Sequence, residues 1–199
     1  MATRNQRATG WKETGRQKDD YYSTPRWAVE ALLDREIFES PVWECASGDG
    51  AISKVLEERG YTVISSDLRQ DETVYGEKGV NFLFETKKVK SIITNPPFKS
   101  GLNFVLHALE CADKIAIFGR IQFLESFERY EKLFSKHSPA RVYVFSGRCS
   151  CLKNGEPVNA GILCFAWFVW EKGFTGKPVL DWIVPKKKAL LLVEEAKTK

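Results

Sequence analysis

With 199 residues, 43% hydrophobic and 28% charged, the chain is long enough to bury one substantial core and too apolar to be disordered. A formal charge of +4 and a pI near 8.7 are compatible with nucleic acid without arguing for it. No apolar run approaches the ~20 residues of a membrane span. The odd count of five cysteines, with no apolar leader, fits a reducing, cytoplasmic setting with free thiols. Cys149 and Cys151 do not have zinc-knuckle spacing, and no metal site is expected.

Residues 1–18 hold Arg4, Arg7, Lys12, Arg16 and Lys18 against Glu13 alone and lack branched apolar residues, which reads as a mobile basic tail. Thr24 before Pro25 predicts an N-cap with proline at the first helical position. Trp27, Val29, Ala31, Leu32 and Leu33 then carry a helix to about Ile37. Val42–Cys45 predicts a first strand, residues 46–50 a glycine turn, and residues 51–59 an amphipathic helix capped by Gly60. Residues 62–66 predict a second strand ending at Asp67, which completes a β-α-β unit. Residues 68–80 read as loop and residues 80–83 as a third short element. Later come a strand at 91–94, a helix from Leu102 to Ala112 and a strand at 114–118. Residues 123–134 read as a helix with Phe127, Tyr130 and Phe134 on one side. Strands at 141–145 and 162–170 close the pattern, and residues 190–196 give a last helical turn or two.

Asn95-Pro96-Pro97-Phe98 follows the β-branched strand directly. Two prolines cannot donate to a sheet ladder, so the strand must stop there. That leaves an amide, fixed carbonyls and an aromatic ring at the carboxyl end of a strand, the edge where open α/β sheets bind ligands. The Asn95 oxygen and the Pro96 carbonyl could accept both protons of a planar exocyclic amine, and Phe98 could stack on its ring. The alternative is a plain Pro-Pro strand exit with a core Phe. Gly48-x-Gly50 after a strand suits a nucleotide site because absent side chains admit a ligand to the backbone, although Ser53 stands where a dinucleotide fingerprint has Gly or Ala. Asp67, 17 residues beyond Gly50, can take both hydroxyls of a ribose or simply cap a turn.

Tyr22-Ser23-Thr24-Pro25, Glu44-Cys45-Ala46-Ser47-Gly48-Asp49-Gly50, Asp67 and Asn95-Pro96-Pro97-Phe98 together, in that order, resemble the S-adenosylmethionine-dependent DNA adenine-N6 methyltransferases. The resemblance covers about residues 19–170, and its last motif also occurs in enzymes that methylate RNA or protein glutamine. It implies a Rossmann-like, doubly wound, mostly parallel seven-stranded sheet with one antiparallel strand, in a single domain over 19–199. It implies S-adenosylmethionine as cofactor, bordered by Tyr22, Thr24 and Pro25 and by Glu44, Ala46, Gly48 and Gly50. Asp67 would hold the ribose, and Asn81 and Phe82 would meet the cofactor's adenine, with Asn81 standing where the family has Asp. Asn95, Pro96, Pro97 and Phe98 would carry catalysis on the N6 amine of adenine in DNA, after the base is flipped out of any duplex. The same chemistry on RNA or glutamine is the nearest alternative. A catalytically silent, cofactor-binding nucleic-acid-binding protein is the alternative of another class.

Neither the 67–95 gap nor the tail leaves room for the separate target-recognition domain usual in that family, so none is expected within this sequence. DNA contact would then fall to the tail and to the loop over 146–161 with Arg148 and Lys153, or to a helper subunit. Deleting residues 1–18 is expected to weaken binding of a labelled duplex. It should also flatten the log–log salt dependence by about 0.9 for each duplex phosphate that the tail neutralises. Parallel lines for full-length and truncated protein would dismiss the tail.

Overall fold

The computed structural model describes residues 22–149, 152–153, 156–157 and 163–185. The tail over 1–18, the Lys186–Lys188 cluster and the helix expected over 190–196 lie outside them.

Alternating apolar residues build the sheet. In β1 (Val42–Glu44), Val42 faces one core and Trp43 the other. Strands β2 (Val63–Asp67), β3 (Glu77–Lys78) and β4 (Val89–Thr94) lie on either side of it, and β4 sends Ile92 and Ile93 to opposite faces. β5 (Ala112–Arg120) alternates in the same way through Ile115, Ala116, Ile117 and Phe118. After β6 (Arg141–Phe145) a small hairpin pairs β7 (Leu152–Lys153) with β8 (Glu156–Pro157). β9 (Phe165–Glu171) sends Phe165, Trp167 and Val169 to one face and Ala166, Phe168 and Trp170 to the other, and β10 (Val179–Ile183) ends the described chain's sheet. Strands buried on both faces need cover on both. Helices α1 (Arg26–Leu33) and α2 (Ser53–Glu58) contribute to one core, and α3 (Gly101–Cys111) to the other through Phe104, Val105 and Ala108.

The order is β10-β6-β9-β5-β4-β1-β2-β3, and every neighbouring pair is parallel except those made by β9. The sheet is thus the expected doubly wound, mostly parallel one with a single antiparallel strand. It has eight strands rather than seven, because β10 adds outside β6. The β-α-β unit stands as read, and Gly60 (φ 86°) caps α2: its N–H donates to Glu57 and that of Tyr61 to Leu56, a Schellman end.

Other local readings are corrected. Pro25, not Thr24, is the extended residue before α1, and the helix stops at Leu33, leaving Ile37 exposed. The loop after Asp67 contains β3, and residues 82–84 form a 3-10 turn. The helix expected over 123–134 breaks into a 3-10 turn (Ile121–Leu124), a short α-helical turn (Phe127–Arg129) and a wider π turn (Tyr130–Phe134). That widening leaves Phe127 and Tyr130 in solvent and buries Leu133 instead.

The end of the sheet away from the Asn95 motif is pinned by Glu36, 5% exposed. It accepts from both sides of the Arg141 guanidinium (2.9 Å at Nη2), from Tyr143 Oη (2.6 Å) and from Lys114 Nζ (2.6 Å). Burial pushes Glu36 upward, yet the bonds from Arg141, Lys114 and Tyr143 outweigh it and hold the carboxyl below its ordinary pKa. Glu36→Ala would leave the Tyr143 phenol without its acceptor and Arg141 and Lys114 with Glu171 as their remaining carboxylate. Breaking such a buried cluster costs about 3–5 kcal/mol, or roughly 10 °C in melting temperature at this chain length. A drop of only a degree or two in thermal unfolding would show that Glu36 is not a structural anchor.

Candidate functional site

Because β1 lies between β2 and β4, the glycine turn, Asp67 and the Asn95 motif leave the sheet side by side. A cavity of about 600 Å³ opens over these strand ends. Of the residues singled out from the sequence, Tyr22, Thr24, Glu44, Ala46 and Asp67 line it, joined by Asn81, Phe82, Asn95, Pro97 and Phe98. Pro25, Gly48, Gly50 and Pro96 stand outside its lining. Gly50 (φ +78°) leaves room for protein: a Cβ there would sit 2.5 Å from the Tyr75 ring. Tyr75 in turn holds the turn, donating its N–H to Gly48 O (2.8 Å) and accepting from Ser47 Oγ (2.7 Å).

Asn95 is fixed by residues that precede the sheet. Its Nδ2 donates to Tyr22 O (2.9 Å) and to Thr24 Oγ1 (3.1 Å). A backbone carbonyl can only accept, so the amide must point its nitrogen there and present Oδ1 elsewhere. Thr24 is therefore spent on Asn95 rather than on capping α1. The Phe98 ring lies 6.1 Å from that of Tyr22, nearly parallel, and carries the Arg120 guanidinium 4.3 Å from its centroid.

Four carboxylates line the same cavity, Glu44, Asp49, Asp67 and Asp71, with Arg69 as the one cation among its lining residues. Glu44 is buried and accepts from the Ser53 N–H (2.7 Å) and the Ser53 hydroxyl. Burial is the main cause that pushes it up to about 8, with Asp49 and Asp67 adding to the rise against the Ser53 bonds. Asp67 is 7% exposed and accepts from Gly48 N and Arg69 N, each at 2.8 Å. Each of its oxygens keeps a further lone pair for a ligand. Asn81 spends its Oδ1 on Leu83 N (3.2 Å) as the cap of the 3-10 turn, and Phe82 packs edge-on against Trp43.

Sequence reasoning missed Ser23, Asp49 and Ser53 as site builders. Ser23 Oγ donates to Asp49 Oδ2 (2.6 Å), fastening the segment before α1 to the glycine turn. Ser53 was legible as a fingerprint mismatch; its bond back to Glu44 was not. Arg148 is exposed and outside the cavity lining, and Lys153 belongs to β7, on a hairpin whose side chains are not described. Among the described residues no group of His, Cys, Asp and Glu could hold a metal ion. No helix among them is long and apolar enough to cross a membrane.

No family model and no curated protein matches the sequence. The fold does match solved structures. A candidate RNA methyltransferase from Pyrococcus horikoshii superposes with a TM-score of 0.56 at 18% identity, over 84% of this chain and 96% of that one. A candidate class I S-adenosylmethionine-dependent methyltransferase from Listeria monocytogenes gives 0.55 at 12%, over 92% and 73%. The magnesium protoporphyrin IX methyltransferase of Synechocystis, solved with S-adenosylmethionine bound, gives 0.50 at 16%, over 83% and 89%. The chain therefore has the Rossmann-like fold of class I methyltransferases.

Glu44 makes stability depend on pH. Below its ordinary value of 4.5 both folded and unfolded chains hold the proton. Between 4.5 and about 8 the unfolded chain sheds it while the folded one keeps it, so this stability drains away as pH rises and is gone above about 8. Glu44→Gln, neutral throughout, is expected to fall less in melting temperature than the parent between about pH 5 and pH 8.5. Parallel curves would place Glu44 in a more polar setting.

Proposed function

We propose that the chain transfers a methyl group from S-adenosylmethionine to an exocyclic amine, the N6 amine of adenine in DNA in the first instance. The orientation of Asn95 carries this reading. With Nδ2 committed to Tyr22 and Thr24, Oδ1 is an acceptor held at the cavity wall at the carboxyl end of β4.

The cavity suits the cofactor chemically. Four carboxylates complement a ligand bearing sulfonium and ammonium charges, and the burial of Glu44 and Asp67 makes attraction at those two stronger than in water. Asp67 offers its remaining lone pairs to a ribose diol. Phe82 and Phe104 supply apolar walls for a flat ring, and about 600 Å³ is ample space for a nucleoside with a short side chain. A cationic ligand beside Glu44 would favour its ionised form and so release a proton on binding. The cofactor, when bound, supplies an activated methyl carbon.

The rest is positioning and hydrogen bonding. An amine conjugated to a purine is a poor nucleophile because its lone pair is spread into the ring. Asn95 Oδ1 and the Pro96 carbonyl would accept its two protons, favouring the localised tetrahedral form and stabilising charge as it develops. Pro96 and Pro97 hold those acceptors without a flexible backbone, so little geometry is left to organise at the moment of reaction. No base is needed before attack, since the nitrogen sheds its proton afterwards.

RNA adenine is the second reading, favoured by the fold's likeness to the candidate RNA methyltransferase of Pyrococcus horikoshii. Transfer of label from tritiated cofactor to DNA, RNA or a glutamine peptide separates the substrates, and no transfer to any would favour the silent binding protein. Asn95→Ala is expected to lower the transfer rate by about 10²–10³. Asn95→Asp would replace the donor to the Tyr22 carbonyl with a repelling acceptor and should fail as well. A substantially active Asn95→Ala enzyme would remove the amine site.

A further inference from the structure

A second cavity, of about 200 Å³, lies behind the Asn95 motif. Phe98 is the residue common to the linings of both cavities. The other walls of the second come from Pro96, from Gly101 at the start of α3, from the end of β5 and from the turns after it, with Arg120 and Arg129 as its only charged lining residues. Among its charged lining residues the first cavity has four carboxylates to one cation, Arg69, so the two sides of Phe98 differ in character, one mainly acidic and the other basic.

The two arginines are set up in the same manner. Arg120 lies over the Phe98 ring at 4.3 Å and Arg129 over the Phe123 ring at 5.2 Å. A guanidinium held over a ring still has N–H donors to offer a planar or tetrahedral anion. The Nε of each is buried and has no hydrogen-bond partner among the described residues. Nearby Glu128 is taken by Lys132 (2.7 Å). Two guanidiniums whose buried Nε groups find no acceptor within the described protein leave that acceptor to be supplied from outside. Around Arg129, Phe127 and Tyr130 stand 78% and 60% exposed, one on each side in the chain. Exposed rings beside a cationic pocket are how single-stranded nucleic acid is held, by stacking next to phosphate contact.

We infer that this second cavity seats a phosphodiester of the same strand whose adenine amine meets Asn95, with Arg120 and Arg129 as the clamp. The inference rests on the nucleic-acid reading above and sharpens it. The protein would grip a strand beside the target nucleotide, on the far side of Phe98 from the cofactor. A neutral glutamine side chain brings no negative charge to two guanidiniums, so the pocket favours nucleic acid over protein.

The test uses the full chain and a short single-stranded deoxyoligonucleotide with one adenine in a thymine tract, its RNA counterpart, and a DNA version with neutral methylphosphonates flanking the adenine. Arg120→Gln and Arg129→Gln should each weaken oligonucleotide binding about ten- to a hundredfold, and reduce the log–log salt slope by about 0.7 for the phosphate no longer neutralised. Affinity for S-adenosylmethionine should stay within a few-fold. The methylphosphonate strand should bind the parent protein as weakly as the normal strand binds the variants, and the variants should not discriminate between the two strands. This arm needs no mutant and stands if a variant misfolds. Unchanged slopes, or a parent protein indifferent to the neutral linkages, would overturn the clamp even if DNA or RNA is methylated. A parent that methylates only the glutamine peptide would overturn the nucleic-acid reading, and the clamp with it.

Discussion

Much of the site depends on one side-chain amide. Asn95 sits where two prolines have ended β4, and its nitrogen reaches back to the Tyr22 carbonyl and the Thr24 hydroxyl. Those two bonds, with the one from Ser23 to Asp49, draw the segment before α1 across the ends of β1 and β4. The strap closes one wall of the cavity and fixes which atom of Asn95 faces it. A net hydrogen bond is worth only about 1 kcal/mol in isolation. Its larger effect here is orientational, because the opposite rotamer would set two acceptors face to face.

Around that strap the molecule separates its charges. Carboxylates gather over β1 and β2, where burial raises Glu44 to about 8, and arginines gather beyond β5, where they lie against aromatic rings. Phe98 stands between the two regions. If the proposed reaction holds, such a partition would keep a cationic cofactor and a polyanion from being drawn to each other's seat. The burden of holding the fold falls elsewhere, on the Glu36 cluster at the opposite strand ends.

What was legible in the sequence was local. The strand–turn–helix–strand run from Val42 to Asp67, the Gly60 cap and the Pro-Pro stop follow from periodicity and backbone constraint over a few residues. What was hidden depends on distance along the chain. Thr24 has a capping residue's chemistry and a capping position, yet its hydroxyl serves a partner 71 residues away. Glu36 looks like a surface acid until Arg141, 105 residues later, reaches it. Gly50 reads as an opening for a ligand, and Tyr75 fills it. Phe127 and Tyr130 were misplaced for a different reason: they keep helical spacing, but a π turn rotates the face that spacing predicts. β10 escaped notice because Val179, Leu180 and Trp182 alternate too weakly around Asp181 and remain half exposed.

The placement of β9 has a consequence for how the chain is made. It is inserted between β5 and β6, and all but the last of its residues are buried. During vectorial synthesis β5 emerges 45 residues before Phe165, so its outer edge, from Ile115 to Phe118, waits unpaired while the intervening segment is translated. At ~5–20 residues per second that is a pause of a few seconds, with an apolar edge open to other chains. Nascent chains stalled before β9 should therefore be where crowding and chaperone binding matter most, and the last strand to arrive in the middle of the sheet would act as its keystone.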